Sequence, residues 1–209
     1  MKHSYVIWDI DGTLLNTREG VVSAAAYTLE RLGYSPAKAK DVVSFPKIKD
    51  AFLRMFEMTE EQAQTATDLF RDRYKEHDLL KAVPYDGICG VMNYLRENNV
   101  KQAIATNKRQ DYATQICVHF GFDQYCCPIY GTDRDGRLTK DKLIQACLEW
   151  WKETDPAITA SQIVMIGDTI GDKEAAEKAA VGFIGVNYGF GFQDVDGYAF
   201  TPNELRGLL

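Results

Sequence analysis

The sequence predicts an α/β fold: a Rossmann-like, three-layer core in which helices cover a mostly parallel sheet. From Pro84 onward, short apolar runs alternate with helical periodicity, and such alternation is typical of parallel sheets with helices on both faces. Residues 17 to about 80 instead carry repeated helical periodicity and no convincing strand. We therefore expect a core domain of residues 1–16 and 84–209, and a small all-helical domain of residues 17–83 inserted after the first strand.

The first strand is the apolar run from Tyr5 to Trp8, and three helices are expected after it. The apolar faces of these helices are Val21, Ala25, Leu29 and Leu32; then Ile48, Ala51, Phe52, Met55 and Phe56; then Ala63, Ala66, Phe70 and Tyr74. Thr59, with Gln62 three residues later, is typical of a capping box and predicts where the third helix begins.

In the core domain the same patterns predict strands and helices in alternation. The strands are expected at 100–105, 128–130, 163–166 and 182–186, and the helices at 88–95, 112–120, 143–151, 175–179 and 202–209. Asp135-Gly136 indicates a turn, and the Gly-rich stretch 189–197 indicates a loop.

Composition excludes several classes of protein. A net charge of −6 without a compensating basic stripe argues against nucleic acid as a partner. The first strand begins too early for a signal peptide, and no apolar run approaches the roughly 18 residues of a membrane span. We expect a cytoplasmic monomer or homodimer. The five cysteines are odd in number and match no zinc spacing, so we expect reduced core thiols.

Polar residues follow three of the predicted buried strands. Asp9 and Asp11 follow the first, Thr106-Asn107-Lys108 the second, and Gly167 to Asp172 a third. Because parallel strands place their carboxyl ends at one edge of the sheet, these groups converge there. Lys140, just before a helix, can reach the same edge.

This set of residues predicts a metal-dependent site for a phosphoryl group. Asp9, Asp11, Asp168 and Asp172 place up to four carboxylates in one cleft, and two such charges about 4 Å apart repel by roughly 4 kcal/mol at an effective dielectric near 20. Oxygen ligands without His or Cys favour Mg²⁺. A carboxylate beside the metal can attack phosphorus and form an aspartyl-phosphate, and a second carboxylate can act as general acid and base.

The same residues carry a family resemblance. Asp9-Ile10-Asp11-Gly12-Thr13-Leu14, Thr106-Asn107-Lys108, Lys140 and Gly167-Asp168-Thr169-Ile170-Gly171-Asp172 resemble, in order and approximate spacing, the four motifs of the haloacid dehalogenase superfamily. The helical insert resembles the C1-type cap of the branch that includes phosphoglycolate phosphatases. The resemblance covers essentially the whole chain and implies a phosphatase for a small phosphorylated metabolite.

The resemblance also implies a role for each motif residue. Asp9 would be the nucleophile and a Mg²⁺ ligand, and Asp11 the general acid and base, with its backbone carbonyl on the metal. Thr106 and the Asn107 amide would bind the phosphoryl oxygens. Lys140 would neutralise nucleophile and phosphate, Asp168 would bind Mg²⁺, and Asp172 would act through a metal-bound water or by orienting Lys140.

Two departures from the family pattern leave alternatives open. Lys142 competes with Lys140, although Lys-x-x-Leu-Ile leading into the helix favours Lys140. Ser44-Phe45-Pro46-Lys47 stands where relatives have a Gly-Pro substrate loop, so Pro46 and Lys47 are candidates for setting specificity. A phosphomutase, a pyrophosphatase, a nucleotidase and a catalytically silent binding module remain alternatives to a phosphatase of the phosphoglycolate type.

Overall fold

The computed structural model describes residues 2–45, 47–134, 136–192 and 198–209. The chain divides into two compact units, Met1–Asn16 with Pro84–Leu209, and Thr17–Val83. Among the described residues, no helix combines the length and apolar character needed to cross a membrane.

Five of the strands form a parallel sheet. In chain order the strands are β1 (Tyr5–Trp8), β2 (Leu15–Asn16), β3 (Val83–Pro84), β4 (Lys101–Arg109), β5 (Cys126–Thr132), β6 (Ile163–Gly167) and β7 (Gly182–Gly185). The sheet has the order β5-β4-β1-β6-β7, and each neighbouring pair is parallel. This sheet with its flanking helices confirms the predicted α/β fold.

The structure has eight α-helices among the described residues. They are α1 (Arg18–Arg31), α2 (Ile48–Met55), α3 (Glu60–Arg73), α4 (Ile88–Glu97), α5 (Gln110–Phe120), α6 (Lys140–Lys152), α7 (Ile170–Lys178) and α8 (Leu205–Leu208). Helices α1 to α3 belong to the inserted unit, and α4 to α8 follow the strands of the core unit. The capping box predicted at Thr59 and Gln62 is confirmed, because both of its hydrogen bonds are present before α3.

Strand β1 lies at the centre of the sheet and is buried along its whole length. Trp8 is level with Ile104 of β4 on one side and Ile166 of β6 on the other. The Trp8 indole Nε1 donates to Gln102 Oε1 at 3.1 Å, so its polar group is satisfied inside the core. The strand therefore holds its carboxyl end, and Asp9 after it, in a fixed position.

Several elements of the structure differ from the predicted ones. β4 runs on to Arg109, so residues 106–108 lie in the strand and not after it; a register shift between Thr106 and Arg109 keeps the pairing with β5. β5 extends two residues beyond the predicted strand at each end. The expected terminal helix consists of a 3-10 turn, Pro202–Glu204, and the short α8. Asp135 and residues 193–197 of the predicted turn and loop lie outside the described residues.

All five cysteines are described and carry free thiols. Cys117, Cys126 and Cys147 are buried, and burial raises the pKa of each of these thiols, which keeps them protonated. Cys89 and Cys127 are exposed. The expectation of core thiols is therefore wrong for these two, which carry no apolar periodicity that would bury them.

The inserted unit packs its helices around aromatic and small side chains. Phe52 of α2 meets Phe70 of α3 edge to face, with ring centroids 6.4 Å apart, and Phe70 stacks on Tyr74 at 5.5 Å. A 3-10 helix, Pro36–Ser44, connects α1 to the rest of the unit, and a π-helical turn, Tyr74–Asp78, follows α3.

A buried carboxylate joins the two ends of this unit. Asp78 is fully buried and accepts hydrogen bonds from Arg73 Nε at 2.8 Å and Ser23 Oγ at 2.9 Å, while Lys81 Nζ lies 2.7 Å away. Burial alone raises the pKa of Asp78, but the hydrogen bonds from Lys81, Arg73 and Ser23 outweigh burial and hold that pKa below its usual range. Asp78 thus ties α1 to the end of α3.

Replacing Asp78 therefore destabilises the protein. We expect Asp78→Ala to lower the free energy of unfolding by about 2–3 kcal/mol, because charge-assisted hydrogen bonds are lost while both cations keep access to water. Since the folded-state pKa is depressed, this stabilisation is present at neutral pH and is lost as the pH falls below about 4. Urea unfolding at several pH values measures it. Asp72→Ala, which removes an exposed carboxylate of α3, is the control; equal losses in both variants would refute the role of Asp78.

Candidate active site

Three carboxylates converge at the carboxyl edge of the sheet. Asp9 follows β1, Asp168 follows β6, and Asp172 lies in the first turn of α7. All three are buried, and one carboxylate oxygen of each lies within 4.8 Å of one oxygen of the others. The main chain helps to hold this edge together, because the Asp9 amide donates to the Ile166 carbonyl at 3.0 Å.

The ammonium of Lys140 lies within this cluster. Lys140 is the first residue of α6 and is 6% exposed. Its Nζ lies 2.9 Å from Asp9 Oδ1 and donates to Asp172 Oδ1. Lys142, two residues on, is exposed. The geometry therefore brings Lys140, and not Lys142, to the carboxylates.

Among the residues that the structure describes, Lys140 and Thr169 each hydrogen-bond to a different carboxylate oxygen of Asp172. Oδ2 accepts from the Thr169 amide at 2.9 Å and from the Thr169 hydroxyl at 2.7 Å, in the capping box at the start of α7. Oδ1 accepts from Lys140. The helix start thus orients Asp172, and Asp172 contacts the lysine; whether Asp172 acts by orienting Lys140 or through a metal-bound water stays a prediction.

Burial and crowding shift the pKa values of the cluster. Burial first, and then the charges of Asp172 and Asp11, raise the pKa of Asp9 to about 6, although Lys140 pulls it down. Burial and the charge of Asp9 raise the pKa of Asp168 to about 7. Burial lowers the pKa of Lys140, but Asp172 and Asp9 raise it by more, so the lysine stays charged.

These residues fit a hard divalent cation. The cluster combines three buried carboxylates with one buried ammonium, so it carries excess negative charge, and its donor atoms are all oxygens. Asp9 Oδ1, although close to Lys140 Nζ, is buried without a hydrogen bond of good geometry among the described residues. Asp9 and Asp168 can bind the cation directly, whereas the oxygens of Asp172 accept hydrogen bonds from Lys140 and Thr169.

Asp11 lies in different surroundings from Asp9. Its carboxylate does not belong to the buried cluster; its side chain is 31% exposed and pairs with Lys108, whose Nζ lies 3.1 Å from Asp11 Oδ1. The Lys108 side chain is only 6% exposed. The sequence analysis did not predict this ion pair. The sequence feature that could have indicated it is Lys108, which directly follows Thr106-Asn107 of the second motif.

The second motif lies at the end of β4. Thr106 is buried, and its hydroxyl accepts from the Lys108 amide at 3.3 Å, whereas Asn107 is exposed. Gly12 turns the chain after Asp11 with φ of 78°, and a Cβ there would lie 2.1 Å from Asp168 Oδ2. Glycine at this position therefore allows the first motif to lie against Asp168.

Sequence reasoning also missed contacts made by the segment after β7. The Phe190 amide donates to Asp168 Oδ2 at 2.6 Å, and the Tyr188 hydroxyl donates to the Thr13 carbonyl at 3.2 Å. The Gly-rich pattern indicated only a loop here.

The candidate specificity residues belong to the inserted unit. Pro46 lies outside the described residues. Lys47 is exposed and precedes α2. Their part in specificity stays a prediction.

The fold and this cluster define a class of enzyme. The sequence profile of the haloacid dehalogenase-like hydrolases matches residues 6–186, so the chain belongs to that family. This match confirms the predicted family, and together with the relatives described next it confirms the prediction of a hydrolase that acts on phosphoric monoesters.

Particular relatives span nearly all of the chain. A 5'-nucleotidase of Pseudomonas aeruginosa is 30% identical over 197 residues, which cover 93% of this chain and 87% of that protein. A phosphoglycolate phosphatase of Agrobacterium fabrum is 28% identical over 95% of this chain and 86% of that protein. The crystal structure of a predicted phosphatase from Clostridium acetobutylicum superposes with a TM-score of 0.87 at 28% identity, covering 100% of this chain and 98% of that one.

The raised pKa values predict how pH and a divalent cation act on stability. Because the folded-state pKa values of Asp9 and Asp168, about 6 and about 7, exceed those of unfolded carboxyls, these two groups destabilise the fold progressively as the pH rises from about 4 toward about 7. We expect MgCl₂ to raise the Tm more at about pH 8 than at about pH 5, since the cation replaces the protons.

Thermal unfolding with and without MgCl₂ measures this effect. Asp168→Asn removes one buried charge, and we expect it to abolish most of the Mg²⁺-dependent rise in Tm. Asp123→Asn, at an exposed carboxylate, is the control and should behave as the unsubstituted protein does. A full Mg²⁺ response in Asp168→Asn would contradict the assignment of this residue to the cation.

Proposed function

We propose that the protein is a Mg²⁺-dependent phosphatase that hydrolyses a small phosphate monoester through an aspartyl-phosphate on Asp9. The observation that carries the proposal is the position of Asp9: it is buried at the end of the central strand, beside the Lys140 ammonium and within the carboxylate cluster. Bound Mg²⁺ would neutralise charge on the phosphoryl oxygens and so favour attack by an anion.

In the first half of the reaction, a carboxylate oxygen of Asp9 attacks phosphorus. The bond from oxygen to phosphorus forms as the bond to the leaving oxygen breaks, and Asp11 donates the proton that turns the leaving alkoxide into an alcohol. Lys140 offsets the negative charge that gathers near Asp9. Thr106 and the Asn107 amide are proposed to bind the phosphoryl oxygens.

In the second half, water attacks the phosphorus of the aspartyl-phosphate. Asp11, now ionised, takes a proton from this water, inorganic phosphate leaves, and the Asp9 carboxylate is restored. The pair with Lys108 keeps Asp11 in one position while its side chain retains access to solvent. Partial exposure suits a group that meets first the leaving alcohol and then water.

The substrate class is proposed from the relatives and the charge of the protein. The relatives named as a 5'-nucleotidase and a phosphoglycolate phosphatase both point to phosphate monoesters, so we propose a small phosphorylated metabolite. With a net charge of −6, this protein has no general attraction for polyanions such as nucleic acid. We propose that residues 17–83 act as the cap that selects the leaving group, with Lys47 as a candidate contact.

A screen of phosphate esters tests the reaction. We expect hydrolysis of at least one member of a panel of phosphoglycolate, sugar phosphates, nucleoside monophosphates and pyrophosphate, with release of inorganic phosphate that EDTA abolishes. Asp9→Asn should lower kcat at least about 10⁴-fold because the nucleophile is lost, while Asp123→Asn should not. Isomerised sugar phosphate without free phosphate would indicate a mutase, and activity surviving in Asp9→Asn would exclude the proposed mechanism.

A matched pair of lysine variants tests the electrostatic role. Lys140→Met should lower kcat about 10²- to 10³-fold, because a buried positive charge beside the nucleophile is lost, whereas Lys142→Met changes an exposed side chain of the same helix turn and should leave kcat within about twofold. Steady-state kinetics on variants shown to be folded by circular dichroism gives the answer. Similar losses in both variants would remove the distinction between the two lysines.

A further inference from the structure

The segment after β7 packs directly against Asp168. The Phe190 amide donates to Asp168 Oδ2 at 2.6 Å, and the Phe192 amide donates to the Asp168 carbonyl at 2.9 Å. Asp168 is fully buried, and its other oxygen, Oδ1, has the Thr13 hydroxyl at 3.4 Å. The 188–192 segment thus forms hydrogen bonds with both the side chain and the backbone of Asp168.

This segment is anchored at both ends. At one end the Tyr188 hydroxyl donates to the Thr13 carbonyl at 3.2 Å, and the Tyr188 ring packs on Tyr85 with centroids 4.7 Å apart. At the other end the buried Phe192 ring contacts Tyr198 at 4.8 Å and Phe183 of β7 at 6.2 Å. The amide of Phe190 therefore lies on a restrained backbone, which fixes the direction of its hydrogen bond.

Close approach to Asp168 requires a glycine in this segment. A Cβ on Gly189 would lie 2.3 Å from Asp168 Cβ and 2.4 Å from the Gly12 carbonyl oxygen. A backbone atom is among the atoms met, so no side-chain rotation can make room. Any larger residue at this position must move the 188–192 segment, the first motif or Asp168.

We propose that residues 188–192 are positioning residues for the cation site: they fix the Asp168 carboxylate through the Phe190 amide and tie it to the Asp9–Thr13 motif through Tyr188. The inference rests on the proposed function, because it concerns how the protein prepares a site for Mg²⁺. Hydrogen bonds to a ligating carboxylate orient it, and their loss commonly weakens metal affinity about 10- to 100-fold. Residues that only stabilised the fold would alter the Tm and leave the Mg²⁺ affinity unchanged.

Isothermal titration of the full chain with MgCl₂ alone, without substrate, tests the proposal. We expect Gly189→Ala to raise the Mg²⁺ dissociation constant about 10- to 100-fold. We expect Tyr188→Phe, which keeps the ring and removes one hydroxyl, to raise it several-fold. Their controls are Gly207→Ala, where an added Cβ has nothing within 4 Å, and Tyr34→Phe in the inserted unit; both should bind Mg²⁺ as the unsubstituted protein does.

Kinetics adds a second measurement. In the two test variants the Mg²⁺ concentration for half-maximal kcat should rise, excess Mg²⁺ should restore much of kcat, and KM for the phosphate ester should stay within about twofold. Folded variants with unchanged Mg²⁺ affinity would overturn the proposal. If Gly189→Ala does not fold, the Mg²⁺ dissociation constant of Tyr188→Phe tests the proposal on its own. If the unsubstituted protein itself binds no Mg²⁺, the proposed function fails as well; if it binds and the variants match it, the positioning role alone fails.

Discussion

The contact on which the site depends is the buried ammonium of Lys140 between Asp9 and Asp172. Two carboxylates near one another repel by roughly 4 kcal/mol at about 4 Å and an effective dielectric near 20, and their removal from water adds to this cost. One ammonium in contact with both offsets that repulsion. Three elements meet at this point, because β1 supplies Asp9, α6 begins with Lys140, and the capping box of α7 holds Asp172.

The same lysine contacts two of the three buried carboxylates of the cluster. Lys140 reaches Asp9 and Asp172, while Asp168 is held by the neutral donors Phe190 N and Thr13 Oγ1. Burial and the nearby charge of Asp9 therefore raise the pKa of Asp168 to about 7. A protein that buries a carboxylate in this way must protonate it or bind a cation there. This edge of the sheet carries excess negative charge because it holds three buried carboxylates and one buried lysine.

Local sequence predicts what depends on local patterns. The apolar run before Asp9 identified the central strand, and the alternation after Pro84 identified the parallel sheet that brings Asp9 and Asp168 together. Local sequence favoured Lys140 but did not exclude Lys142, because both lie in the first turn of α6. Two residues along a helix differ by about 200° in direction, so one lysine enters the core and the other faces solvent. Only the packing of α6 on the sheet decides between them.

The hydrogen bond from Phe190 to Asp168 could not be predicted from side chains, because its donor is a backbone amide. The adjacent Gly189 was the one sequence feature that indicated a close approach to Asp168.

The two carboxylates of the first motif illustrate how surroundings assign roles. Asp9 and Asp11 are chemically identical and two residues apart, but Asp9 is buried against Lys140 while the Asp11 side chain is 31% exposed and pairs with Lys108. A nucleophile must be fixed and protected from water, whereas a general acid and base must reach both a leaving group and water. Gly12, with its positive φ, turns the chain immediately after Asp11. The division of labour proposed for Asp9 and Asp11 therefore follows from where the strand ends and the turn begins.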